Sequence, residues 1–263
     1  MSKQESKRSV TFLAVISTLT LMSSSHALAG LSVRKPFQNT QSTDLSSTPM
    51  PVVDYNAPET QNLQELNTRR LRRKRYDHST LSVRELPPNV DQLPLINHFW
   101  WGLSPIPVGQ SDAALIGEVV DARAYLSNDN TGVYSEFTIR LERVLKESDH
   151  DLPSLIPVER LGAAVRFQTG RIIKYEVLRQ GVPRIGGRYV LFLSYNSEGD
   201  DYSLLTGYEL SNGHVVPLDG VDVFELYEGW PEDRFLNVVT KNIRRGSNNV
   251  LPGLVRFHPS QSM

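Results

Sequence analysis

The sequence predicts a mainly β protein, a small antiparallel barrel or sandwich that is followed by one amphipathic helix and preceded by a disordered arm. Short apolar stretches recur from Ala113 to Leu218, and each is bounded by residues that favour turns. No helical pattern alternates with these stretches, which argues against a parallel sheet with crossover helices. A regular series of short strands is typical of closed or stacked antiparallel sheets.

Residues 1–29 have the three parts of a secretory signal peptide. Positive residues precede an apolar run from Val10 to Met22, and Ala27-Leu28-Ala29 gives a small-x-small cleavage pattern. The run is shorter than the about 20 apolar residues that span a bilayer, which disfavours the alternative of an uncleaved anchor. We therefore expect cleavage between Ala29 and Gly30, no transmembrane segment, and a mature chain that is secreted to the periplasm or the medium.

Residues 30–92 are predicted to form a disordered linker that is rich in Ser, Thr, Asn, Gln and Pro. Apolar residues are isolated there, so the chain buries too little surface to offset its conformational entropy. Residues 59–75 are a partial exception, because Leu63, Leu66 and Leu71 can share one side of a helix.

A basic run occupies positions 69–75 of this linker, where six of seven residues are Arg or Lys. It can be a solvated segment, a processing site for a basic-specific protease, or a weak electrostatic tether to an anionic surface. Nucleic-acid binding is disfavoured, because no aromatic residue is interleaved with the charges and residues 111–220 are net acidic. The basic residues are Arg69, Arg70, Arg72, Arg73, Lys74 and Arg75.

The folded domain is predicted to cover residues 93–246. Near its start, Trp100 and Trp101 lie among prolines. They are candidate binding residues, since an exposed aromatic pair can hold a sugar or a peptide. The alternative is a hydrophobic anchor that ties the N-terminal arm to the barrel, because exposed aromatic patches are uncommon on soluble proteins.

The first two barrel strands are predicted from a glycine and from alternation. In "AALIGEVVDARAYL" Gly117 allows a bulge, and "SNDNTG" provides the turn that follows. In "VYSEFTIRLERV" Val133 and Phe137 lie on one face, whereas Tyr134 and Glu136 lie on the other. One face of this strand should therefore be buried and the other exposed to water.

The remaining elements follow in order. Pro157 indicates that "LIPVERL" is an edge strand, and Gln168-Thr169-Gly170 is a predicted hairpin turn. "RYVLFLSY", "YSLLTGYEL" and "HVVPL" complete the series. Residues 231–245 form the predicted helix, with Pro231 in its first turn and Gly246 as its stop. Residues 247–263 are expected to form a flexible tail.

The runs "SDAALIGEVVDARAYLSND" and "YSEFTIRLERVLK", with Gly186-Gly187 leading into "RYVLFL", resemble a group of uncharacterised exported bacterial proteins. More distantly, they resemble the netrin and metalloproteinase-inhibitor type of OB barrel, over residues 105–220. The resemblance implies an OB-like barrel that binds rather than catalyses. The tissue inhibitors of metalloproteinases place an N-terminal cysteine on the zinc of their target, and this chain contains no cysteine.

The composition also limits the possible chemistry. Without cysteine the chain has no disulfide, thiolate zinc site or cysteine nucleophile, and no metal-spaced histidine pair or phosphate-binding loop occurs. We therefore expect no cofactor, no metal and no catalysis, but a module that binds a protein, peptide or glycan through the open face of the barrel or its loops. The alternative is a hydrolase whose site is assembled from the scattered residues His214, Asp219 and Ser203.

Overall fold

A computed structural model describes residues 49–79, 82–95, 102–150 and 152–248 of the chain. These residues form strands, three α-helices and a short 3₁₀ helix at Lys74–Tyr76. The helices are α1 (Leu63–Arg73), α2 (Asp222–Glu225) and α3 (Glu232–Asn248). The strands are β1 (Val52–Asp54), β2 (Gln92–Leu95), β3 (Ala113–Leu126), β4 (Val133–Lys146), β5 (Leu155–Leu161), β6 (Ala163–Arg166), β7 (Ile172–Val177), β8 (Arg188–Asn196), β9 (Asp201–Ser211) and β10 (His214–Pro217).

Five strands close into a barrel, which confirms the predicted mainly β fold. The order is β3, β4, β5, β9 and β8, and β8 pairs again with β3. Neighbouring strands are antiparallel except β5 and β9, which pair in parallel at Val158 with Tyr202 and at Glu159 with Ser203. Alternate side chains fill the barrel interior, including Leu115, Phe137, Ile139, Ile156, Val158, Leu191 and Leu193.

Two local predictions about the strands have different outcomes. The bulge at Gly117 is confirmed by a register shift against β4, and a Cβ atom there would lie 2.5 Å from Ile139 Cγ2. The prediction that Pro157 marks an edge strand is wrong, because β5 has a neighbour on both sides. The ladder with β9 begins only at Val158, so the missing N–H of Pro157 removes no hydrogen bond from it.

A second sheet and α3 pack against the barrel. The sheet order is β1, β6, β7 and β2. Its residues Val165 and Tyr175 share a hydrophobic core with Leu126 at the end of β3 and Val133 at the start of β4. On the other side of the barrel, α3 buries Phe235 and Val239 against Tyr208 and its neighbours. The predicted helix is confirmed, although it continues past Gly246 to residue 248.

A disordered linker is expected over residues 30–92, and the structure differs from this prediction at residues 49–79 and 82–92. Within it, β1 pairs with β6, and α1 begins at the cap residue Asn62, whose Oδ1 accepts from two backbone N–H groups. Further along, the guanidinium of Arg171 donates to the carbonyls of Pro87 and Val90 at 2.9 and 2.8 Å. Composition fails here because these polar groups bond to the folded domain instead of to water.

Several predictions fall on residues that the structure does not describe. They include the cleavage site at Ala29 and Gly30, the aromatic pair Trp100 and Trp101, and most of the tail 247–263. Among the residues that are described, no helix combines the length and the apolar character needed to cross a bilayer.

Candidate binding face of the barrel

Three adjacent barrel strands bring carboxylates together on the outside of the barrel. Glu136 on β4 lies directly opposite Glu159 on β5, and Glu159 pairs with Ser203, two residues along β9 from Asp201. Residues two apart on a strand share a face. Glu159 and Asp201 are each only 1% exposed. Like charges directly opposite each other destabilise a sheet, so this arrangement requires a cation beside it.

The basic run provides that cation. Arg72 donates from Nη1 to Glu136 Oε2 at 3.0 Å and from Nε to the carbonyl of Gly199 at 3.0 Å. Arg75 Nη2 lies 2.9 and 2.7 Å from the two oxygens of Asp201 and 2.5 Å from Glu159 Oε2. The three-residue spacing places both guanidinium groups on one side of the helical turn. Two largely covered guanidinium groups therefore offset most of the charge of three carboxylates.

Two loops hold the same segment from either side. In the loop between β3 and β4, the Asn128 N–H donates to Asp77 Oδ1 at 2.7 Å, and the His78 N–H donates to Asp129 Oδ2 at 2.7 Å. In the loop between β8 and β9, Glu198 pairs with Lys74 at 3.3 Å. We call residues 62–79 the covering segment. The carboxylate face consists of Glu136, Glu159 and Asp201 with the loops 127–132 and 197–200.

Each loop contributes a glycine where the covering segment approaches most closely. A Cβ atom at Gly132 would lie 2.3 Å from the carbonyl oxygen of Tyr76. A Cβ atom at Gly199 would lie 2.9 Å from Cγ of Arg72 and 2.8 Å from Oδ1 of Asp201. Any larger side chain at Gly132 would thus force the covering segment away from the loop.

An aromatic stack lies beneath the covering segment. The ring of Tyr134 on β4 is stacked under Tyr76 at a centroid distance of 4.4 Å, and Tyr125 lies beside it at 5.7 Å. The guanidinium of Arg69 covers the Tyr125 ring at 3.8 Å. This part of β4 was predicted to face water, but Tyr134 is fully buried and its hydroxyl has no hydrogen-bond partner among the described residues.

Burial changes the titration of the carboxylate face. Burial raises the pKa of Glu159 well above its ordinary value; the charge of Asp201 raises it further, and Arg75 opposes both effects. Burial likewise raises the pKa of Asp201, against the opposing charges of Arg75 and Arg72. The face therefore favours either a bound cation or bound protons.

The structure differs from the interpretation of the basic run as a solvated segment. Besides Arg72 and Arg75, which contact the carboxylate face, Arg73 pairs with Glu59 at 2.9 Å and Arg69 with Glu65 at 3.0 Å. Arg70 has an exposed side chain, although its carbonyl accepts from Asn128 Nδ2 at 3.1 Å. The basic residues thus take part in the fold.

The three residues of the alternative hydrolase do not meet. His214 pairs with Ser211 on β9, which lies eight residues beyond Ser203, about 25 Å along an extended strand. Asp219 is fully buried and accepts from Arg160 Nη2 at 2.8 Å. Within the described ranges, no cluster of three or more His, Asp or Glu residues is arranged to hold a metal ion.

Sequence reasoning identified the basic run but missed its partners. Arg75 is 84 residues from Glu159 and 126 residues from Asp201 along the chain, so no local pattern links them. The available signal was charge complementarity, since the basic run precedes a region, residues 111–220, that is net acidic.

Comparison of the chain with descriptions of known protein families, with curated proteins and with solved structures finds no match. Function must therefore be argued from the geometry and charge of the carboxylate face itself.

Proposed function

We propose that this protein is an exported, non-catalytic module that binds a protein, peptide or glycan ligand at the carboxylate face of its barrel. The observation that carries the proposal is the place of the covering segment. It lies across β4 and β5, the second and third strands of the barrel. On one side of it is the loop 127–132, which joins the first two barrel strands, and on the other is the loop 197–200, which joins the last two. In OB barrels, that face and those two loops are where ligands bind.

The order of the barrel strands supports an OB-type interpretation. The first three strands of the barrel are consecutive, and the fifth strand, β9, lies in parallel between the third and the fourth. This is the order expected of an OB barrel, and it agrees with the resemblance to the netrin and metalloproteinase-inhibitor group. Because buried carboxylates line the face, we expect a cationic ligand and disfavour a nucleic acid.

Site-specific photo-crosslinking in the exporting cell tests the binding face. A photoreactive residue is placed at Asn130 or Ser197, which are exposed positions of the two loops, and at Lys241, an exposed position of α3, as the control. We expect discrete crosslinked products from the two loops and none from the control. Equal crosslinking from Lys241, or none from either loop, would contradict the proposal.

Export requires a separate measurement, because the signal pattern in residues 1–29 is its only support. N-terminal sequencing of protein recovered from the periplasm or the medium is expected to begin at Gly30. A mature species that retains Met1 would show that the leader is not removed.

A further inference from the structure

We propose that the carboxylate face recognises an arginine-bearing segment of another polypeptide, and that the covering segment is an internal substitute which this partner displaces. The inference rests on the proposed function and specifies its ligand. An acidic cluster alone would not carry it. It depends on three further observations. The contacts of the covering segment with the face are defined, the covering segment leaves the buried hydroxyl of Tyr134 unpaired, and its helix is attached without buried apolar side chains.

The contacts favour arginine over other cations. Arg72 uses a different nitrogen for each of three acceptors: Nη1 donates to Glu136, Nε to the carbonyl of Gly199 and Nη2 to the carbonyl of Asp200. A planar guanidinium with five fixed donors can serve such divergent acceptors, whereas the ammonium of lysine is a compact point charge. The ligand class is therefore a peptide with two arginines three residues apart on a helical turn.

The hydroxyl of Tyr134 shows that the covering segment does not use all that the face offers. Tyr134 is fully buried, and its side chain belongs to β4 beside Glu136. Its oxygen has no hydrogen-bond partner in the described part of the chain, and Tyr76 covers its ring at 4.4 Å. Buried polar groups in native proteins are nearly always paired, so an occupant that pairs this hydroxyl gains over the covering segment.

The helix α1 of the covering segment is held without an apolar core, and the stack of Tyr76 on Tyr134 lies beyond its end. No residue of α1 is buried, and the side chains of Leu63 and Leu71 remain 73% and 46% exposed. A helix of eleven residues is marginal on its own, so its attachment depends on ion pairs and hydrogen bonds. Such contacts exchange with a competing cationic peptide more readily than apolar packing does.

The anchors on either side of the covering segment are independent of it. Upstream, β1 pairs with β6, and downstream Val83 and Leu86 are buried in the core of the second sheet. The covering segment can therefore leave the face as a loop while both of its ends stay attached. This geometry gives the partner access without unfolding the barrel.

The test uses the full mature chain and a labelled peptide that copies residues 62–78. In the variant Gly132→Ala the new Cβ would lie 2.3 Å from a backbone oxygen of Tyr76, so the covering segment must shift. The control is Gly109→Ala, where a Cβ meets no atom within 4 Å. By fluorescence anisotropy we expect Gly132→Ala to bind the peptide at least tenfold more tightly than the wild type or the control.

A second variant avoids dependence on one loop. Arg72→Gln combined with Arg75→Gln removes the internal arginines and leaves every carboxylate of the face in place, so it should also bind the peptide at least tenfold more tightly than the wild type. A peptide with lysine in place of Arg72 and Arg75, and its other residues unchanged, should bind at least tenfold more weakly than the original. Equal binding of the two peptides, or no gain in either variant, would overturn the inference.

Two further outcomes have defined meanings. If Gly132→Ala forms dimers by light scattering and the peptide does not dissociate them, the occupant is a second copy of the chain, and the inference is overturned. If the loops crosslink in cells while neither variant gains peptide affinity, the face binds a ligand of another class. In that case the proposed function stands and this inference fails.

Discussion

Arg75→Gln tests the ion pairs that join the covering segment to the carboxylate face. The guanidinium faces two carboxylates, Glu159 and Asp201, that are each 1% exposed. Removing one partner of a buried ion pair costs about 3–5 kcal/mol, because the other charge remains buried without compensation. Packing of α1 does not compensate for this cost, since α1 buries no side chain.

Two features of the structure reduce the expected magnitude. Arg72 Nε remains 3.4 Å from Asp201 and supplies part of the lost attraction. The covering segment can also leave the face, so that water reaches the carboxylates, and the cost then cannot exceed the free energy that holds the covering segment in place. We therefore expect a loss of about 2–3 kcal/mol at pH 8, below the full cost of an isolated buried charge.

The loss should decrease at lower pH. Burial raises the pKa of both Glu159 and Asp201, so these groups take up protons at a higher pH than ordinary carboxyl groups do. A protonated carboxyl needs no counter-charge, and the missing guanidinium then matters less. The difference in unfolding free energy between wild type and Arg75→Gln is thus expected to be smaller at pH 5 than at pH 8.

Urea denaturation monitored by intrinsic fluorescence measures the unfolding free energy of each protein at pH 5 and at pH 8. Hydrogen exchange of residues 63–76 reports whether the covering segment has left the carboxylate face. The matched control is Arg73→Gln, whose partner Glu59 is a half-exposed carboxylate, so that its cost should be about 0–1 kcal/mol. The reasoning is refuted if the two variants are equally stable at pH 8, or if Arg75→Gln loses more at pH 5 than at pH 8.

Three further predictions concern other parts of the fold. Glu159→Gln should gain stability relative to the wild type as the pH rises above about 4.5, at up to about 1.4 kcal/mol per pH unit. The reason is that burial raises the pKa of Glu159 in the folded wild type, so that ionisation of this carboxyl favours the unfolded chain. A difference in urea midpoints that does not change with pH would contradict this. Phe235→Ala, at a fully buried position of α3, should cost about 3–5 kcal/mol, whereas Leu226→Ala, 61% exposed, should change the thermal midpoint little. Asp219→Asn removes the fully buried carboxylate that pairs with the 3%-exposed side chain of Arg160 and should cost about 3 kcal/mol in urea unfolding while peptide binding is unchanged.

The barrel could be predicted from the sequence because its signals are local. Alternation along β4 placed Phe137 inside, and the turn residues at 127–132 joined β3 to β4 as expected. The bulge at Gly117 was also predictable, because only a residue without a side chain allows the strands to approach so closely there. The prediction of an edge strand at Pro157 was wrong, because a missing backbone N–H matters only where the neighbouring strand needs it. That depends on where the ladder with β9 begins.

The carboxylate face could not be predicted because its parts are distant in sequence. Judged by local composition, the basic run is predicted to be solvated, because the acidic partners of Arg72 and Arg75 do not lie next to it in the sequence. The partners Glu136 and Glu159 come together only when the register between β4 and β5 is formed. The same register explains why Tyr134 is buried on a face that alternation assigns to water. The order of the covering segment is therefore a property of the closed barrel and not of its own composition.

The parallel closure between β5 and β9 has a consequence for the dynamics of the barrel. Only two residue pairs join these strands, whereas the β8 and β9 ladder has eight. This short seam is the line along which the barrel is easiest to open. Arg75 bridges it, because its guanidinium contacts Glu159 on one side of the seam and Asp201 on the other. Opening of this seam and occupancy of the carboxylate face are therefore coupled, so amide protons of β5 should exchange faster when Arg75 leaves the face.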